Sequence, residues 1–105
     1  MISERCFEKI EKEDLEKLLK FAVEDREDFF TRYPRWRKLY SNRLICIALC
    51  QGAAQHYING KRGVKDFDIW TFYAEHPDAP FPYRRMAVKD FGKSKFGRHP
   101  VMKRF

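Results

Sequence analysis

Hydrophobic and polar positions alternate with a helical period in the first third of the chain. Over residues 12–33, apolar side chains recur at spacings of three and four, with Glu, Lys and Asp between them. This spacing predicts an amphipathic helix. Pro34 is expected to end it, because the residue before a proline is kept out of the helical conformation. A second short helix is predicted at 36–40, followed by a turn at 41–42.

Two later segments have the composition of β-strands. Residues 44–50, LICIALC, form an apolar run bounded by turn residues, which predicts a buried central strand. Residues 64–73 are rich in β-branched and aromatic side chains and predict a second strand. Between the two strands, one or two helical turns are predicted at 53–58, ended by Asn59 and Gly60.

The remaining residues are less regular. Three prolines within 77–82 predict a loop. The pattern allows a short strand at 86–91, and the Gly and Lys content predicts a basic mobile tail at 92–105. Together these elements indicate a single domain, 1–105, of the α/β (α+β) class, in which the N-terminal amphipathic helix packs on a small mixed sheet.

Composition narrows the class of protein. The chain has 105 residues, of which 44% are hydrophobic and 16% aromatic, so a folded domain is expected rather than a disordered chain. No apolar run approaches the roughly 20 residues that span a bilayer, and the first fifteen residues do not resemble a secretory signal. A cytoplasmic protein with no membrane partner is therefore predicted.

Charge is unevenly distributed along the chain. The net charge is +7. Residues 1–28 carry ten acidic and six basic side chains, whereas residues 79–105 carry eight basic side chains and one acidic side chain. The positive field is therefore expected to be strongest near the C-terminus.

The cysteines and histidines show no metal-site spacing. Three of each are present: Cys6, Cys46, Cys50, His56, His76 and His99. Without a CxxC motif, neither a disulfide framework nor a zinc site is indicated. Cys46 and Cys50, in the apolar run, are expected to act as small buried hydrophobic residues. The histidines are expected on a helix surface or in loops.

Two aspartates stand two positions apart in the second predicted strand. Side chains at i and i+2 of a strand project from one face, so Asp66 and Asp68 would repel each other unless a cation lies between them. Mg²⁺ or Mn²⁺ suits carboxylate oxygens and keeps coordination sites for phosphate. Taken alone, the pair fits a solvated strand end better than a metal site.

The residues before this pair of aspartates form a strand–helix–strand pattern with it. An apolar strand that ends near a glycine, a short helix, and a strand with alternating aspartates resembles the core of the nucleotidyltransferase fold, the DNA polymerase beta-like superfamily, over residues 42–75. The longer string LCQGAAQHYINGKRGVKDFDIWTFY, followed by FPYRR and DFGKSKFGRHP, is similar to a group of small bacterial proteins of that superfamily.

The resemblance implies a site and an activity. Gly52 and Ala53 would lie against a nucleotide triphosphate, and Asp66 and Asp68 would be the catalytic, metal-binding carboxylates of nucleotidyl transfer to an unidentified acceptor. A glycine lets the phosphates come close to the backbone, and the start of a helix offers them N–H groups.

Two features depart from the family pattern. Ala53 replaces the usual small hydroxyl residue or second glycine, so only a backbone contact to phosphate remains at that position. The family's third carboxylate comes from a later strand, for which Asp90 is the candidate, whereas Asp78 lies in the proline loop. The chain is therefore expected to be truncated at its C-terminus or to have a weakened metal site.

Basic and aromatic residues near the C-terminus have two interpretations. Arg84, Arg85, Lys93 and Lys95 would offset the charge of the triphosphate or of an RNA or DNA backbone. A solvated basic tail explains them equally well. Trp70 and Phe72 are expected in the core more than in base stacking.

A function without catalysis is the main alternative. A basic domain with an incomplete site would bind RNA or DNA, or would pair with another protein or a second copy through its acidic N-terminal helix. A complete third carboxylate in the folded site would favour the enzyme.

Overall fold

Helices and a small sheet follow one another along the chain. The computed structural model describes residues 5–82 and 90–101. The elements are α1 (Lys12–Arg32), α2 (Pro34–Tyr40), β1 (Leu44–Cys50), α3 (Gln51–Asn59) and β2 (Asp68–Tyr73). The domain therefore mixes helices with sheet, as predicted. None of the helices in the described part of the chain is long and apolar enough to span a membrane.

Helix α1 has defined ends. At its start, the Glu11 N–H donates to Asp14 Oδ2 at 2.8 Å, which satisfies a backbone donor that the helix itself leaves without a partner. At its other end, Pro34 excludes the helical conformation from Tyr33, and a new helix, α2, begins at the proline itself. The predicted span of 12–33 is confirmed to within one residue.

Strands β1 and β2 pair antiparallel, with Cys50 opposite Asp68 and Ala48 opposite Trp70. The predicted mixed sheet is thus, over the described residues, a two-stranded antiparallel sheet. The boundaries predicted for β1 are confirmed, but its predicted burial is wrong, because Ile45 is 65% exposed. Ile45 lies at a break in the ladder register between Leu44 and Cys46, and with a single partner strand the sheet is incompletely covered.

The second strand is shorter than predicted, beginning at Asp68 rather than at residue 64. Asp66 therefore precedes the strand, and the argument that Asp66 and Asp68 share one strand face is wrong. The physical reason is that β1 ends at Cys50, so no ladder partner remains before Asp68. The Phe67 N–H instead donates to the Pro100 carbonyl at 2.7 Å.

The core has two parts. A hydrophobic cluster joins α1, α3, the loop before β2 and the C-terminal segment; its buried members are Ile10, Leu18, Ala53, Val64, Phe67, Phe91 and Val101. An aromatic cluster lies at the other end of the sheet and consists of Phe29, Phe30, Trp36, Tyr40, Tyr73 and Phe81. In it, the buried Tyr40 hydroxyl donates to the Ala79 carbonyl at 2.6 Å.

Two residues of the segment 90–101 are buried in the core, and the mobility predicted for 92–105 stays a prediction. Phe91 is 2% exposed and Val101 is 1% exposed. The Phe91 N–H donates to the Arg98 carbonyl at 2.6 Å. Of the strand predicted at 86–91, residues 86–89 lie outside the described residues, while 90 and 91 are not in a strand.

Candidate functional site

The junction between β1 and α3 has no loop. Cys50 is the last strand residue and also the extended residue before the helix, which begins at Gln51. Gln51 adopts a φ of 60°, in the left-handed region, and at this residue the chain passes directly from strand to helix. The backbone N–H groups that begin α3 are therefore brought to the end of the sheet.

Two arginines lie over Gly52, the second residue of α3. A Cβ added to Gly52 would lie 3.4 Å from Arg62 Nε and 4.0 Å from Arg5 Nη1. The absence of a side chain thus leaves room in which guanidinium groups approach the first turn of the helix. Ala53 differs, because its side chain is buried in the core and only its backbone faces the junction.

Asp68 stands at this same end of the sheet. It is half-buried and lies opposite Cys50 in the ladder. Burial, followed by the charge of Asp68 and then by Cys46, raises the pKa of the Cys50 thiol. Asp66 is also half-buried and is separated from Asp68 by the buried Phe67. The fold thereby brings Asp68 and the start of α3 together.

His56 supports the junction from inside the domain. It is 2% exposed, so its predicted surface position is wrong. Its Nδ1 accepts the Gly63 N–H at 2.9 Å, and its Nε2 lies 2.9 Å from the Glu8 carbonyl. The Gly63 N–H can only donate a hydrogen bond and the Glu8 carbonyl can only accept one, so Nδ1 is the acceptor and Nε2 is the donor. His56 thus joins α3 to the segments that carry Arg5 and Arg62.

The predicted cysteine environment is corrected in one respect. Cys46 and Cys50 were expected to be buried, but Cys46 is exposed and Cys50 is half-buried, as is Cys6. Over the described residues the sheet has two strands, and its face bearing Cys46 and Cys50 is incompletely covered. On this face Phe72 is also exposed, although it was expected in the core.

Asp66 and Asp68 are the two carboxylates that the sequence predicts as ligands of a divalent cation. Magnesium commonly binds through one or two carboxylates and completes its octahedron with water and substrate phosphates, and Asp66 and Asp68 supply two carboxylates. Within residues 5–82 and 90–101, no group of three or more His, Cys, Asp or Glu side chains is arranged to hold a metal. Asp90 therefore does not complete a three-carboxylate site with the pair.

Asp90, the candidate third carboxylate, has other partners. Its Oδ1 accepts the Gly92 N–H at 2.8 Å, and its Oδ2 lies 3.2 Å from Arg98 Nη2. The Gly92 hydrogen bond, with smaller effects of Arg98 and His99, lowers the pKa of Asp90 despite some desolvation. Asp90 thus organises the turn after Phe91.

The predicted phosphate-binding lysines and arginines are found in different places. Lys95 Nζ lies 3.2 Å from Glu11 Oε1 and 3.6 Å from Asp14 Oδ2, at the start of α1. Burial lowers the pKa of Lys95, but these two carboxylates outweigh it and the net shift is upward. Lys93 is exposed. Arg84 and Arg85 lie outside the described residues.

Sequence reasoning missed Arg5 and Arg62. The available signal for Arg62 was the Lys-Arg pair in NGKRG, which lies between the predicted helix and the predicted second strand. Arg5 has no local signal, because it reaches Gly52 only through the pairing of Cys6 with Val64.

A cavity of about 370 Å³ runs along β2. Its lining residues are Asp25, Arg26, Tyr40, Ile69, Trp70, Thr71, Phe72, Tyr73, Glu75, Phe81 and Pro82. Because Ile69 follows Asp68 directly, the cavity begins one residue from the carboxylate and extends towards the aromatic cluster.

Comparison of the chain with family models, with curated proteins and with solved structures gives no match.

Proposed function

We propose that this chain is a nucleotidyltransferase-type domain that binds a nucleotide triphosphate with Mg²⁺ where β1, α3 and β2 meet. The pairing of Cys50 with Asp68 carries the proposal. This register brings a half-buried carboxylate to the residue from which α3 begins. A cation-binding group and a phosphate-binding helix start then act on the same substrate.

Each residue at the junction has a defined role in this proposal. Asp66 and Asp68 hold the cation, which neutralises phosphate charge when it is bound. Gly52 lets phosphate oxygens reach the N–H groups of the first helical turn. Arg62 and Arg5 offset the remaining negative charge. The cavity along β2 offers space for the nucleoside or the acceptor.

Two carboxylates support binding better than they support transfer. Activation of an attacking hydroxyl in a two-metal site needs ligands for a second cation, and the described residues contain no group of three metal-binding side chains. We therefore expect the 105-residue chain to bind the magnesium–nucleotide complex weakly and to transfer nucleotide very slowly or not at all. A non-catalytic binding domain is the alternative function.

The direct test uses Mn²⁺ in place of Mg²⁺, because its paramagnetism broadens nearby amide resonances. In ¹⁵N-labelled protein we expect broadening at residues 66–68 first, and at 51–53 when ATP is added. Asp66→Asn with Asp68→Asn should abolish both effects. Asp78→Asn, which removes one exposed carboxylate elsewhere, is the matched control and should leave them unchanged.

Turnover is measured separately, with labelled ATP, CTP, GTP and UTP and detection of released pyrophosphate. If the double variant binds Mn²⁺ as the parent does, the proposed site is wrong. Robust turnover that survives Asp90→Asn but is lost with Asp68→Asn would show that another residue completes the site, and the expectation of a catalytically incomplete chain would be wrong.

A further inference from the structure

A group of cationic side chains at the end of α1 and on α2 is used neither by the core nor by the proposed site. Residues 29–65 contain eight Lys or Arg side chains and no Asp or Glu, so the middle of the chain carries a long unopposed positive segment. Five of the eight lie within 32–43, at the end of α1, on α2 and just after it.

Some of these cationic side chains make ion pairs or hydrogen bonds within the fold, and others are exposed. Arg37 pairs with Glu27 at 3.2 Å and donates to Thr31 Oγ1, and Arg43 donates to the Glu75 carbonyl. Three more have exposed side chains that make no hydrogen bond or ion pair with another described residue: Arg32, Arg35 and Lys38. We call these three the α2 basic surface.

Aromatic rings accompany the α2 basic surface. Tyr33 lies between Arg32 and α2 and is 48% exposed, and its ring contacts the ring of Phe29 at a centroid distance of 5.2 Å. The Arg35 guanidinium lies 4.9 Å from the centre of the half-buried Trp36 ring. Arg35 and Lys38 are three residues apart on one helix, so they project from the same side.

The basic residues of the C-terminal segment are less available to bind a polyanion. Lys95 is held by Glu11 and Asp14, and Arg98 pairs with Asp90. A polyanion that bound these side chains would have to break existing ion pairs. The α2 basic surface has no such competition among the described residues, although Asp28 lies one turn before Arg32 and weakens its field.

We propose that the α2 basic surface binds the phosphate backbone of single-stranded nucleic acid, with Tyr33 stacking on a base. Exposed cations interleaved with an exposed ring are the combination that binds single strands without sequence preference. The proposal is independent of the nucleotide site, because it involves neither Asp66 nor Asp68.

The experiment measures the affinity of labelled 12-nucleotide RNA and DNA strands by fluorescence anisotropy at several salt concentrations. Replacing Arg32, Arg35 and Lys38 by Ala should reduce the slope of log affinity against log salt by about 2, since each phosphate contact on a single strand contributes about 0.7. Both strands should show this change, because the contact is to the backbone.

Two further variants sharpen the test. Replacing the exposed Lys9, Lys12 and Lys20 by Ala removes the same net charge from the opposite, acidic end of the chain and should leave the slope unchanged. Tyr33→Ala should keep the slope but weaken binding about tenfold, as expected for the loss of one stacked base. Circular dichroism and thermal melting check that each variant is folded.

Several outcomes would overturn the proposal. An equal loss in the Lys9, Lys12 and Lys20 variant would mean that net charge alone governs binding. An unchanged slope in the α2 variant would place the contact elsewhere. Displacement of the RNA by polyglutamate at an equal charge concentration would assign the surface to an acidic protein partner. Asp66→Asn with Asp68→Asn should not alter the slope, so failure of the nucleotide site is distinguished from failure of the α2 basic surface.

Discussion

Cys50 and Asp68 lie opposite each other across the β1–β2 ladder, and the carboxylate contributes to the raised pKa of the thiol. A cysteine therefore lies beside one of the two proposed metal ligands. Its ionisation depends on the negative charge at Asp68, so it provides a chemical measurement of the site that requires no turnover.

The first prediction concerns this thiol. In a Cys6→Ser, Cys46→Ser background, the pH profile of Cys50 alkylation should have its midpoint above the ordinary thiol pKa of 9.0. Asp68→Asn should shift the profile to lower pH, because an anion no longer disfavours the thiolate, yet part of the upward shift should persist because burial is its largest cause. Mass spectrometry of the alkylated protein gives the rates.

Asp78→Asn is the control for this measurement and should leave the profile unchanged. Saturating Mg²⁺ should act in the same direction as Asp68→Asn if the cation binds there, because it neutralises the same charge. If neither Asp68→Asn nor Mg²⁺ changes the pH profile of Cys50 alkylation, the charge of Asp68 does not affect the pKa of the Cys50 thiol as assigned.

The second prediction concerns the buried His56. Its replacement by Ala removes the acceptor of the Gly63 N–H and the donor to the Glu8 carbonyl, and leaves a cavity. We expect a loss of about 2–4 kcal/mol in the free energy of unfolding, measured by urea denaturation. Gln55→Ala, at an exposed position of the same helix, should change it by less than about 0.5 kcal/mol.

The third prediction compares two glycines in the left-handed region. Gly63 has a φ of 80°, and an added Cβ would lie 2.8 Å from Arg5 Cβ and 2.9 Å from Phe7 Cζ. Gly60 has a φ of 70° with open space around it. Gly60→Ala should therefore cost about 1 kcal/mol of stability from backbone strain alone, and Gly63→Ala clearly more.

The same two variants test the nucleotide site. Gly63→Ala displaces the segment that carries Arg5, so nucleotide binding should weaken more than it does in Gly60→Ala when both proteins are folded. Equal stabilities in denaturation curves would contradict the close packing of Gly63 against Arg5 and Phe7.

The fourth prediction concerns acid stability and Asp90. Its pKa is lowered in the folded protein, so its contribution to stability is present above the unfolded value of about 3.8 and is lost as the pH falls through the folded value. The urea concentration at the midpoint of unfolding should be measured from pH 6 to pH 3. As the pH approaches 3, it should fall less steeply in Asp90→Asn than in the parent.

Asp78→Asn provides the comparison at an exposed carboxylate. If the parent and Asp90→Asn lose stability in parallel below pH 4, the hydrogen bond from Gly92 and the ion pair with Arg98 do not contribute to stability as assigned.

Local patterns predicted those elements whose conformation depends on neighbours in the chain. The period of apolar residues and the position of Pro34 predict α1 and its end, because helical hydrogen bonds join residues four apart. The limits of β1 follow from an apolar run between turn residues, and Gly60 ends α3 through a left-handed φ that glycine adopts without strain.

By itself, the sequence determined that the chain mixes helices with strands, that Asp68 lies in the second strand and that Gly52 lies near the start of the intervening helix. Tertiary structure alone decided that Asp66 precedes the strand, because its neighbour Phe67 bonds to Pro100, 33 positions later. It likewise decided that Arg5 reaches Gly52 and that residues 90–101 cover the core. These contacts join residues far apart in the chain. Their free energy comes from burial and hydrogen bonds, which the pattern of residues within one segment does not indicate.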